Sequence, residues 1–168
     1  MLSSAERGSL LGLIFIGVIA CLVGELYAPA LALVLLILLI LVPCLVFVWL
    51  KKFYLSSECT YSFWTLWFQG ICYFIFASLI MSVGIYIFFK LAAPNFFSDL
   101  INYLVQEAPK SGDPMAMQQV ESINELIAQN GMPRTIDFAL SFGWLSVFSG
   151  IILTLILVPV IKLMYRNN

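Results

Sequence analysis

The chain contains no histidine. That absence removes the usual general base near neutral pH and the commonest metal ligand together. Charge is also scarce. Charged residues make up 10% of the 168 residues, against about 25% in soluble domains. Beyond Lys51-Lys52 no Lys/Arg cluster exists, so the electrostatic footprint of a nucleic-acid binder is missing. Paired acids within the apolar stretches, His-Glu-x-x-His, Gly-x-Ser-x-Gly and a Ser-Lys arrangement are all lacking. No catalytic, cofactor-binding or metal-binding residue is therefore assigned, and the chain is not expected to be an enzyme.

Cysteine is sparse and misplaced for crosslinking. Cys21, Cys44, Cys59 and Cys72 all precede the polar segment 91–137, so no disulfide framework is implied. Cys21 and Cys44 fall on adjacent spans at depths differing by roughly 16 Å, which forbids a bridge. Two thiols without histidine make a poor zinc site, and buried free cysteine is the expectation.

What the chain has is apolar length. Hydrophobic residues reach 62% and mean hydropathy is +1.04. A soluble fold of this size cannot hide so much apolar surface, but a bilayer removes the need to. Gly8 to Gly24 is apolar, Glu25 to Pro29 interrupts, and Ala30 to Leu50 is apolar again. A span needs roughly 17–25 residues, so the stretch reads as two spans, about 8–25 and about 29–50. Arg7, the apolar core and Ala28, Ala30 and Ala32 loosely fit a cleaved leader. Cleavage would leave a chain starting on another apolar run, so the segment is expected to be retained. Residues 51–61 read as a polar loop. A third span follows over about 62–90, some 43 Å long at 1.5 Å per residue, with Trp64 and Trp67 at one interface and Tyr86 at the other.

Segment 91–137 differs in kind. It carries Asp99, Glu107, Asp113, Glu121, Glu125 and Asp137 against Lys110 and Arg134. Its pattern predicts an amphipathic helical hairpin over about 94–131. Phe97, Leu100, Ile101, Leu104 and Ala108 share a face of the first helix. Met117, Val120, Ile123 and Ile127 line the second, with Asp113 as N-cap, Pro114 at the first helical position and Asn130-Gly131 at the end. Lys110 to Asp113 forms the turn between them. Thr135 or Asp137 caps a last span over about 136–164. The expected architecture is thus all-α: a four-helix membrane bundle forming a single domain, with the hairpin inserted between its third and fourth spans. Arg7, Lys51, Lys52, Lys162 and Arg166 fall on one side. The positive-inside bias makes that side, with both termini, cytoplasmic and the acidic hairpin external.

Polar residues near the spans have modest readings. Glu25 beside the turn is expected at the interface, where a carboxylate escapes most of the burial cost. Gln69 is expected to make an interhelical hydrogen bond. Gly70, Ala77 and Gly84 recur every seven positions on the third span, and Gly143, Ser146, Gly150 and Thr154 nearly so on the fourth. Seven residues return a helix to within about 20° of one face. These small residues are expected to pack the third and fourth spans together. Pro43 and Pro159 lie near span ends, where they can kink the helix.

Tyr61-Ser62-Phe63, Gly70, Tyr86-Ile87-Phe88-Phe89, Pro94-Asn95-Phe96-Phe97, Gly131-Met132 and the Gly/Ser-containing last span ending in Lys162 carry a resemblance. The chain resembles the bacterial family catalogued as domain of unknown function 4199, over roughly residues 58–165. Ser57-Glu58-Cys59-Thr60 stands where a Gly is common before the Ser-Phe pair. The resemblance implies a small multi-pass protein of the bacterial inner membrane and adds no catalytic residue and no cofactor. The expected role is a non-enzymatic scaffold or accessory subunit. It would sit in the lipid bilayer and act through protein contacts, with a partner at the acidic hairpin or as a homo-oligomer. A small oligomeric transporter or channel for an apolar or lipid-like substrate is the alternative.

Overall fold

A computed structural model of the protein describes residues 3–25, 28, 30–57, 61–92, 94, 96, 99, 101–103, 105–106, 114–131 and 134–165. Among these residues every regular element is an α-helix. The elements are α1 (Ser4–Glu25), α2 (Leu31–Leu55), α3 (Phe63–Leu91), α4 (Pro114–Asn130) and α5 (Thr135–Met164). Four of them, α1, α2, α3 and α5, are long and apolar enough to cross a membrane.

Two boundaries depart from the sequence reading, each for a local reason. α1 starts at Ser4, a turn before the expected Gly8. The Ser3 amide donates to Glu6 Oε2 at 2.5 Å, and the Glu6 amide donates to Ser3 Oγ at 3.3 Å. This reciprocal capping box satisfies two otherwise orphaned donors and winds residues 4–7 into the helix. α2 runs through Lys51–Leu55, where the sequence pattern predicts a loop. Tyr54 there is buried, and the Phe53 ring stacks on Tyr61 at 4.8 Å, so apolar packing carries the helix past the lysine pair. The Ser56 and Ser57 hydroxyls then close its end on the Phe53 and Tyr54 carbonyls.

Elsewhere the ends follow local chemistry. Ser62 Oγ accepts the Thr65 amide at 3.2 Å and caps α3. α4 opens on Pro114, whose missing N–H costs nothing at a first helical position. It ends at Gly131, which has φ +76° and donates its amide to the Ile127 carbonyl at 2.8 Å. α5 begins at Thr135 with Asp137 in its first turn, where a carboxylate suits the helix dipole. Glu25 is the exposed last residue of α1. Leu26, Tyr27 and Pro29 of the expected turn lie outside the described residues. So do Cys59, Phe97, Leu100, Leu104, Ala108, the Lys110–Asp113 turn, Met132 and Arg166.

The chain divides into two compact units: residues 1–85 with 140–168, and residues 86–139. In the first, α1 and α2 form an antiparallel pair, with Gly17 against Leu38 and Gly24 against Leu31. The core gathers Leu11 of α1, Val42, Val46, Trp49 and Leu50 of α2, Leu66, Tyr73 and Phe74 of α3, and Val158 and Ile161 of α5. It therefore occupies the C-terminal half of α2 and the N-terminal half of α3. In the second unit Phe89 is buried, with Phe88, Phe96 and Phe138 around it at ring separations of 5.3, 5.1 and 5.4 Å.

Candidate functional site

Two small-residue contacts bring α3 close to its neighbours. On α1, Gly8 and Gly12 are four residues apart and meet α3 backbone. A Cβ at Gly8 would stand 2.8 Å from the Tyr73 carbonyl oxygen, and one at Gly12 would stand 2.8 Å from that of Ala77. Gly-x-x-x-Gly spacing permits such backbone approach in lipid. Ile16, one turn on, covers Gly84. α1 and α3 thus run parallel.

On the α5 side, Gly70 meets Thr154, Gly150 meets Phe74 and Gly143 meets Ser82, so α3 and α5 run antiparallel. Thr154 is buried and turns its hydroxyl back to the Gly150 carbonyl at 2.8 Å, which leaves its methyl for Gly70. Ser146 is buried as well, and among the described residues its Oγ has no hydrogen-bond partner. Gly70, Gly143 and Gly150 therefore lie between α3 and α5. Gly84 instead faces α1, and Ala77 is buried where Gly8 and Gly12 approach. A four-residue spacing on α1 carries this contact, and a scan for seven-residue spacing passes over it.

The close α1–α3 approach encloses a polar group. Arg7 is 7% exposed, although it precedes the apolar run that starts at Gly8. The capping box fixes its helical register. Arg7, Leu11 and Val18 then fall on one buried stripe, at spacings of one and three turns. Arg7 Nη1 donates to the Tyr73 hydroxyl at 2.7 Å. The guanidinium carbon is 5.8 Å from the Tyr73 ring centre. Because the hydroxyl mediates the contact, it is a hydrogen bond at the ring edge more than a cation–π contact over the face.

Tyr73 is wholly buried, and Trp49 of α2 packs edge-on against it at 5.9 Å. One turn before Tyr73, Gln69 Nε2 donates to Ser4 Oγ of α1 at 2.5 Å. Ser4, Arg7, Gln69 and Tyr73 thus form one polar seam between α1 and α3. Arg7 Nε is buried without a partner, and among the described residues no carboxylate pairs with the guanidinium. The Glu6 carboxylate sits on the Ser3 amide instead. Sequence reasoning treated Gln69 as an interhelical donor and missed Arg7. Ser3-x-x-Glu6, the signal that would have found it, lies in the short polar lead.

Cys21 and Cys72 are half-buried free thiols and Cys44 is an exposed one. Among the described residues no group of histidine, cysteine and acids is disposed to hold a metal. On α4, Met115 and Met117 are exposed, and Met115 lines a groove of about 440 Å³ with Gln118, Ser122 and Ile123. Val120, Ile123 and Ile127 of the expected apolar face are half-buried, and Glu121 and Glu125 are exposed.

No curated protein and no solved structure matches the chain. A family model described as "Protein of unknown function (DUF4199)" matches residues 7–162, from the buried arginine to the last lysine of α5. The chain belongs to that family.

Proposed function

We propose that the protein is a non-enzymatic scaffold or accessory subunit of the bacterial inner membrane. Both termini are cytoplasmic in this reading. Segment 91–137 lies outside and takes a protein partner, either a different chain or a second copy. The carrying observation is on α4, where Met115 is 71% exposed at the edge of a groove and Met117 is 49% exposed elsewhere on the helix, in the least apolar part of the chain. Flexible thioether side chains suit an adaptable protein contact. Six acids against two bases in that segment favour a basic face on the partner.

The test isolates the full chain in mild detergent and identifies co-purifying proteins by mass spectrometry. A parallel preparation carries Met115→Asp and Glu121→Lys. A partner recovered with the natural chain and lost with the variant, at equal helix content, supports the reading. A solitary monomer, or equal recovery with both chains, overturns it.

A small oligomeric transporter or channel for an apolar or lipid-like substrate has less support. Gln69 is engaged by Ser4, and Glu25 is exposed at the end of α1. Flux measurements in liposomes address that reading directly.

A further inference from the structure

The geometry points to a phosphate-binding site at Arg7, filled from the bilayer by the headgroup of an anionic phospholipid. The inference rests on the reading of α1, α2, α3 and α5 as membrane spans and is independent of any partner at α4.

Arg7 is more than nine-tenths buried, and its charge has no carboxylate partner among the described residues. Taking a guanidinium out of water is costly unless an opposite charge or a full set of acceptors replaces the hydration. Tyr73 supplies one acceptor, on Nη1. Nε, on the other edge of the fork, has none among the described residues. That edge, Nε with Nη2, is the side-on pair of parallel donors that takes two oxygens of a phosphate or carboxylate. The Tyr73 hydroxyl accepts from Nη1, so its own proton remains available for a further acceptor. An oxyanion on that edge supplies the acceptor that Nε lacks.

The level of the site selects the source of the anion. Trp49, which packs on Tyr73, precedes Lys51 by two residues, about 3 Å of helix. Lys51 and Lys52 end the apolar run of α2, and Lys51 Nζ lies 5.3 Å from the Tyr165 ring centre near the end of α5. Arg7 is three residues into α1, about 5 Å from its start. The guanidinium therefore lies close to the charged end of the spans, at the depth of the headgroup phosphates. Basic sites between spans on this side suit anionic lipid headgroups.

Membrane association is measured first, by resistance of the full chain to alkaline extraction. Release there overturns the span reading and is distinct from failure of the site. The detergent-purified chain is then incubated with phosphatidylglycerol, with phosphatidylcholine of the same acyl chains, or with inorganic phosphate. Retained lipid is read by native mass spectrometry and stability by thermal unfolding. Phosphatidylglycerol is expected to be retained about tenfold over phosphatidylcholine and to raise the midpoint. Arg7→Gln loses that preference. Arg7→Lys, which keeps the charge without the fork, keeps part of it. An equal rise with inorganic phosphate alone supports the oxyanion site but overturns the lipid as its source. Equal retention of both lipids by the natural chain overturns the proposal, whether or not Arg7→Gln folds. So does an undiminished preference in Arg7→Gln.

Discussion

Gly17 and Gly150 both lie inside helices, yet an added methyl group meets different neighbours at each. At Gly17 the new Cβ would stand 3.7 Å from Leu38 Cδ1, an ordinary contact. At Gly150 it would stand 2.1 Å from Phe74 Cγ, a ring atom close to the backbone of a buried residue. Phe74 cannot swing away without leaving its rotamer and the core. Gly150→Ala is therefore expected to destabilise by about 1–3 kcal/mol, the usual cost of overpacking. Gly17→Ala is expected to be neutral or slightly stabilising, because alanine favours the helix. Thermal unfolding of the two variants in one detergent checks the contrast, and equal midpoints would contradict the packing described for α3 and α5.

Helix ends show how local chemistry sets the elements. Gly131 closes α4 at φ +76°, and among the described residues no neighbour stands within 4 Å of the place a Cβ would take. The cost of Gly131→Ala is thus conformational and not steric, about 1–2 kcal/mol for a left-handed residue. Faster amide hydrogen exchange over the last turn of α4 is the expected readout, with α1 unchanged. The Pro114 and Asn130-Gly131 signals were legible because they are strictly local in the chain. The apolar lengths of the four long helices were legible for the same reason.

What escaped sequence reasoning depends on register or on tertiary contact. Ser3-x-x-Glu6 adds a turn to α1 and carries Arg7 from a flank into a buried stripe. Tyr54 and the Phe53–Tyr61 stack extend α2 past its lysines. Gly8 and Gly12 gain meaning only once α1 is set against the Tyr73 and Ala77 carbonyls. Gly84 shares a sequence stripe with Gly70 but meets Ile16, because α3 serves two neighbours with adjoining faces.

At the scale of the whole molecule, apolar exposure is the governing fact. Leu33, Ile37 and Ile40 of α2, Leu79 and Val83 of α3, and Trp144 and Phe148 of α5 are all exposed. Water would penalise each of them, at about 25 cal/mol per Å² of apolar surface, whereas lipid does not. In the proposed topology both termini and the α2–α3 connection share one side of the membrane and α4 takes the other. The proposed topology makes the Lys51, Lys52 and Lys162 end cytoplasmic, following the positive-inside bias. Both proposals depend on this topology, which would set the Arg7 site at the inner headgroup level and the α4 methionines outside.

Single-cysteine accessibility tests it most directly. In a chain whose four cysteines are replaced by serine, exposed Ser122 of α4 or exposed Ser56 at the end of α2 is changed to Cys. Each variant is treated with a membrane-impermeant maleimide before and after the cells are permeabilised. The account predicts that Ser122→Cys reacts in intact cells and Ser56→Cys only after permeabilisation. Reaction of both in intact cells, or the reverse order, would contradict it.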